Sequence, residues 1–147
     1  MDYVDVLFAH RPDFDTPLEE TVRAFSWLID QGLAFYWGTS EWPAIRIEQA
    51  RQIAEKYHLH APKFEQNQYN MFVREKMEVG LKEMFEEKKL GTTIWGPVCG
   101  GLLTGKFNDG KRPEGSRGAL ATGHPYLHHA WENYLGPDHV DKTTKTL

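Results

Sequence analysis

The sequence predicts an α/β fold in which helices cover a parallel sheet, and two observations carry the prediction. Four short runs rich in aromatic and β-branched residues, YVDVLF (3–8), AFYWG (34–38), KFEQ (63–66) and TTIW (92–95), read as strands. They recur about every 30 residues, the length of a strand-plus-helix unit, and each interval holds a segment of helical periodicity. Strict alternation of this kind implies right-handed crossovers between parallel strands. The open doubly wound sheet and the (β/α)8 barrel both satisfy it.

The first helix is expected to begin at Thr16, whose hydroxyl can cap a backbone N–H while Glu19 reaches back. Pro17 suits the first turn, where its missing N–H would be unpaired anyway. Leu18, Val22, Phe25 and Ile29 then share one face, and Gly32 is placed to end the helix in the left-handed conformation. A second helix, near 42–57, is expected to bury Ile45, Ala50, Ile53, Ala54 and Tyr57 and to leave Arg46, Glu48, Arg51 and Glu55 to solvent. A third, about 73–88, carries Met77, Leu81, Met84 and Phe85 inward, with Glu78 one turn before Lys82. After residue 100 the chain turns rich in Gly, Pro, Lys and Arg, and from His124 onward its helical patterning is weak.

Composition narrows the function. The 147 residues are 40% hydrophobic and 26% charged, as in an ordinary globular domain. With 17 basic against 21 acidic residues the net charge is -4, which gives no broad attraction to nucleic acid or anionic lipid. Cys99 alone cannot form an internal disulfide, no apolar stretch reaches the roughly 18 residues of a membrane span, and MDYVDV lacks the regions of a signal peptide. A cytoplasmic protein without direct membrane insertion is the expectation. His124, His128 and His129 are accompanied by no Cys or carboxylate cluster at ligand spacing, so no metal is expected. GGLLTGK ends in Phe107 instead of Ser or Thr, which excludes a Walker phosphate loop.

In a parallel barrel the active site lies at the carboxyl ends of the strands. Here those positions hold His10, Arg11 and Asp13; Gly38, Thr39, Ser40 and Glu41; Gln66, Asn67, Gln68, Tyr69 and Asn70; then Trp95, Gly96 and Pro97. Together VDVLFAHRPD, TPLEETVRAFSWLIDQGLAFYWGTSEW, FEQNQYNMF and GTTIWGPVCGGLLTGKF form consecutive blocks in order and at the right spacing. They resemble the aldo-keto reductases, most closely the branch that includes the β subunits of voltage-gated potassium channels. The resemblance runs from about residue 2 to 117.

That resemblance implies a (β/α)8 TIM barrel, of which this chain carries about half (strands 4 to 7), and NADP(H)-dependent reduction of an aldehyde or ketone. It implies that His10 is catalytic and hydrogen-bonds the substrate carbonyl oxygen, a task that suits imidazole in either protonation state. Ser40 and Gln66 match side chains that hold the nicotinamide carboxamide, and Trp95 matches the aromatic on which the ring stacks. Glu41 is expected among the cofactor-binding residues, at a position where relatives carry asparagine or arginine. Gly96, Pro97, Val98, Cys99 and Gly100 match a stretch where backbone approaches the cofactor, helped by the missing Cβ of glycine. Cys99 itself reads better as a packing residue than as a redox-sensitive one. Lys106 and Arg117 match basic residues that clamp the pyrophosphate and adenosine phosphate. Read without the resemblance, both are simply exposed cations.

Residues 1–147 are thus expected to form a partial NADP-dependent oxidoreductase domain, with 101–147 as its cofactor-loop region and poorly patterned tail. The family's catalytic Tyr, Asp and Lys belong to strands before the one that carries His10, so the chain is expected to be a fragment, catalytically incomplete alone. Three readings follow: a carbonyl reductase with a small carbonyl substrate, a nucleotide-binding subunit that partners a potassium channel α subunit, or a noncatalytic truncated module. A homo-oligomer is compatible with each.

Overall fold

The expected alternation is present in the computed structural model, which describes residues 2–109 and, beyond them, 111, 114–117, 119, 125, 128, 132 and 133. Four strands, β1 (Val4–Ala9), β2 (Ala34–Ser40), β3 (Phe64–Gln68) and β4 (Gly91–Trp95), pair in chain order as one wholly parallel sheet. Helices α1 (Leu18–Asp30) and α2 (Ala44–Lys56) fill the first two crossovers, and a π-helical turn, Lys76–Gly80, followed by α3 (Lys82–Glu86), fills the third. No helix among the described residues is long and apolar enough to cross a membrane.

The chain divides into two units. Met1–Gln68 with Arg74–Trp95 contains the sheet and its helices; Tyr69–Val73 with Gly96–Leu147 forms the second.

In the first unit the alternation of each strand separates two faces. Trp37, on the helix-covered face, is fully buried, stacks on Phe25 of α1 with centroids 4.9 Å apart, and donates its indole N–H to the carbonyl of His60 at 2.7 Å. Val22, Ile47, Ala50, Ala54, Leu81 and Met84 complete this core. Buried Ser26 ties α1 to the loop after α2, because its hydroxyl accepts from the His60 N–H at 3.0 Å. The opposite face carries Tyr36 and Phe64, edge-on at 6.1 Å.

Several local expectations are corrected. Thr16 does not cap α1: helix α1 starts after Pro17, with no side-chain cap. Asp13 instead builds a turn ahead of the helix: its carboxylate accepts from the N–H groups of Asp15 and Thr16 and from the Thr16 hydroxyl at 2.6 Å, so the hydroxyl is already engaged. Glu19 pairs with Arg23. In α2 the buried positions are Ile47, Ala50 and Ala54, while Ile45 is 67% exposed: starting the helix at Pro43 sets a phase that turns Ile45 outward and Ile47 in. Arg46, Glu48 and Arg51 are accordingly half-buried. The third helix is not continuous but passes from π to α geometry around Gly80. Glu78 consequently meets Arg74 at 2.8 Å, and Lys82 faces Glu86.

Gly38 marks a close approach of two strands. Paired with Phe64, it leaves no room for a side chain, because a Cβ there would stand 2.6 Å from the Phe64 carbonyl oxygen and 3.0 Å from Phe8. Backbone cannot swing aside as a flexible side chain can. Gly38→Ala is therefore expected to lower stability by about 1–3 kcal/mol, as overpacking does, read as a reduced denaturant midpoint in the full-length protein.

Candidate functional site

Parallel strands all finish at one edge, so the register decides which terminal side chains are neighbours. Ser40 pairs with Gln66, Gln66 with Thr93, and Gln68 with Trp95. The Ser40 hydroxyl donates to the Gln66 carbonyl at 3.1 Å and accepts from Arg11 at 2.9 Å; the Gln66 amide donates to the Thr93 hydroxyl at 3.1 Å. Arg11 also donates to the carbonyl of His10 at 2.8 Å. His10, one residue past β1, is exposed.

Glu41 follows Ser40 with φ of 60°, a left-handed conformation that costs a non-glycine residue about 1–2 kcal/mol. Its backbone N–H donates to the Gln66 carbonyl at 3.0 Å, and its carboxylate receives the N–H of Gln68 at 2.6 Å, the indole N–H of Trp95 at 2.9 Å and the ammonium of Lys76 at 2.7 Å. Burial acts to push this carboxyl up, but Lys76, Gln68 and Trp95 outweigh it and hold it below the usual glutamate range.

One position before Gln66 in β3, and on the opposite face, Glu65 is fully buried. It shares a hydrogen bond with the Thr39 hydroxyl and accepts from the Trp42 N–H at 3.0 Å, just ahead of α2. Burial pushes its carboxyl up to about 7, against Thr39, Lys76 and Trp42; the charge of Glu41 adds to the rise.

The second unit is organised by buried Asn70. Its side-chain oxygen accepts from the N–H groups of Phe72 and Val73, at 3.0 and 3.1 Å, while its amide donates to the Gly96 carbonyl at 2.9 Å. Beyond Gly96, whose φ is 63°, come exposed Pro97 and Val98 and then a 3-10 segment, Cys99–Thr104. Cys99 and Gly100 also take left-handed backbone, and Cys99 is buried with Leu102, Phe107 and Phe72. Lys106 lies over the Phe107 ring at 5.1 Å and alongside Gly101, where a Cβ would come within 2.8 Å of its side chain. Lys106 and Arg117 are both exposed. Among the described residues no group of three His, Cys, Asp or Glu is placed to hold a metal; His124 and His129 lie outside those residues.

The sheet thus brings Ser40, Glu41, Gln66 and Trp95 into one hydrogen-bonded row and sets His10 at the same strand edge. Sequence reasoning missed Lys76 and the buried Glu65 as members of this charge system. Glu65 could have been noticed as an acidic residue at an inward position of a strand; nothing local pointed to Lys76.

Residues 1–136 match the profile of the aldo/keto reductase family, to which the chain belongs. Among its relatives, a probable voltage-gated potassium channel subunit beta of Arabidopsis thaliana is 52% identical over 120 residues, covering 82% of this chain and 37% of that protein. A putative voltage-gated potassium channel subunit beta of Schizosaccharomyces pombe is 55% identical over 115 residues, covering 78% and 33%. The chain therefore spans about a third of the length of the curated relatives it matches. The solved structure of glycerol dehydrogenase AKR11B4 from Gluconobacter oxydans superposes with a TM-score of 0.65 at 26% identity, over 91% of this chain and 41% of that one. The fold is accordingly of the TIM-barrel family, represented here by four parallel strands with their helices.

The buried carboxyl sets a pH dependence. Glu65 holds its proton more tightly folded (about 7) than unfolded (4.5), so stability is highest below pH 4.5 as far as this group is concerned, and falls as pH rises to about 7. Glu65→Gln, which mimics the protonated form, is expected to flatten that decline and to gain roughly 1–3 kcal/mol at pH 8. Denaturant midpoints of both proteins at pH 5.5 and 8 check this.

Proposed function

We propose that this chain supplies cofactor- and substrate-facing residues of an NADP(H)-dependent oxidoreductase that reduces aldehydes or ketones. The observation that supports this most is the row of side chains towards one edge of the sheet: an aromatic ring, an amide and a hydroxyl on adjacent parallel strands, in register and pinned by hydrogen bonds. Such a set suits a nicotinamide, whose flat ring needs a stacking surface and whose carboxamide needs both a donor and an acceptor. When bound, NADPH supplies the hydride.

Gln66, with its amide nitrogen held by Thr93, presents its carbonyl oxygen to the carboxamide N–H, and the Ser40 hydroxyl completes the pair by turning its hydrogen from the Gln66 carbonyl, which the Glu41 N–H still satisfies, to the ligand. Trp95 offers its ring face. The left-handed backbone at Gly96, Cys99 and Gly100 turns the second unit's chain sharply enough for main-chain N–H groups, with Pro97 and Val98 between them, to line an anionic ligand. Lys106 and Arg117 then serve as phosphate ligands, the one a point charge and the other a planar fork. His10 donates a hydrogen bond to the carbonyl oxygen of the substrate, on which negative charge builds as the carbonyl is reduced.

The names of the relatives favour a second reading, in which nucleotide occupancy of the same residues regulates a potassium channel. Co-purification of the full-length protein with the cytoplasmic domain of such a channel, lost or gained on adding NADPH, distinguishes the two.

For the reductase reading, NADPH binding and aldehyde-dependent NADPH oxidation by the full-length protein are the measurements. Gln66→Ala is expected to weaken NADPH binding about tenfold, as loss of a buried polar contact does. His10→Ala should lower kcat by about a hundredfold with NADPH affinity little changed. Absence of NADPH binding by the wild-type protein overturns the proposal.

A further inference from the structure

We infer that Glu41 is a positioning residue, which fixes the edge of the Trp95 indole so that its face is set for a nicotinamide ring and does not itself touch the nucleotide. The inference rests on the reading of Trp95 as the stacking platform.

The carboxylate is fully engaged within the protein. One oxygen receives Gln68 N–H and Trp95 Nε1–H, and the other receives Lys76, so three donors converge from the ends of β3 and β4 and from the π-helical turn. The Glu41–Lys76 pair is also largely shielded, at 22% and 30% side-chain exposure. A group with only acceptor capacity is a poor neighbour for phosphate, and here that capacity is turned inward.

The geometry of indole explains what such a bond accomplishes. Its N–H lies in the ring plane, so an acceptor at that edge stops rotation about the bond to the ring without covering either face. A buried Trp N–H needs a partner in any case, and Glu41 gives it one that is itself anchored on two other elements. The left-handed backbone of Glu41 is what aims its carboxylate across β3 towards β4. A residue held in that conformation by its own side-chain contacts is over-determined, as positioning residues are.

The test uses the full-length protein, with NADP+ and, as a nucleotide lacking the nicotinamide ring, 2′-phosphoadenosine-5′-diphosphoribose. Glu41→Ala is expected to weaken NADP+ binding about tenfold, the loss of a charge-assisted hydrogen bond, and to leave the truncated nucleotide within about twofold. Trp95→Phe, which keeps a stacking ring but lacks the N–H, should show the same split and carries the test alone if Glu41→Ala does not fold. The two changes combined should cost no more than the larger one. Glu41→Gln retains the acceptor and should restore binding to within about threefold. Without any nucleotide, the indole N–H resonance of Trp95 in isotope-labelled protein should shift and lose its protection in Glu41→Ala.

Equal losses for both nucleotides, additive losses, or an unmoved Trp95 resonance overturn the inference while leaving the reductase reading in place. If the wild-type protein binds no NADP+ although the resonance responds, the functional reading falls, and the positioning role with it.

Discussion

Every backbone N–H and C=O must find a partner, and a parallel sheet satisfies them only as far as its strands run together. At the carboxyl edge this ladder ends. Gln66 still has a carbonyl to satisfy, which accepts from the N–H of Glu41 and the hydroxyl of Ser40; the N–H of Gln68 finds the Glu41 carboxylate. Polar side chains at this edge are thus a requirement of the fold before they are an opportunity for chemistry. Because the strands are parallel, the requirement falls on the same edge for each of them, and residues far apart in sequence gather there.

The third strand bears the largest cost. It places Glu65 and Asn67 towards the buried layer and Gln66 and Gln68 on the other face, where Phe64 is its one apolar residue, so it contributes no apolar side chain to the helix-covered core. Burying these groups is tolerable only where hydrogen bonds replace water. Glu65 has Thr39 and Trp42, and Asn67 reaches the sulfur of Met77 at 3.3 Å, a weak acceptor. Adhesion must come from elsewhere, and fully buried Trp37, Trp42 and Ile47 supply it around the strand.

The order of strands and helices was legible because it depends on composition over short windows and on a repeat length, both local properties. The same holds for the inner face of α1. Local patterns failed where two solutions competed within one turn. Thr16 and Asp13 both offered oxygens ahead of α1, and Asp13, with two, captured the Thr16 hydroxyl as well as the backbone. In α2 both Ile45 and Ile47 are apolar, and only the starting point of the helix decides between them. At the site, Ser40 and Trp95 end their strands, but Gln66 lies in mid-strand because β3 runs on to Gln68, past the expected KFEQ, and the partnership of Glu41 with Trp95 crosses 54 positions. In sequence, Glu41 stands out only as a position where relatives carry asparagine or arginine. Its partners, set by register, account for it.

Glu41 and Glu65 also compete for one cation. Lys76 touches Glu41 directly and reaches Glu65 only through space, and two further N–H donors favour the Glu41 anion. Burial, the largest influence on Glu65, pushes that carboxyl up while Lys76 and the N–H donors hold Glu41 down, so the two are driven apart, one below and one above their common starting value. Below about pH 7 the three groups carry a single compensated pair, Glu41 with Lys76, and a neutral acid beneath it. As pH rises, the uncompensated charge develops on Glu65 in the helix-covered layer, away from the strand edge. The arrangement at the edge is thereby insulated from proton uptake over the range in which the interior titrates, and it is the deeper carboxyl, with no ligand to face, that absorbs the electrostatic cost.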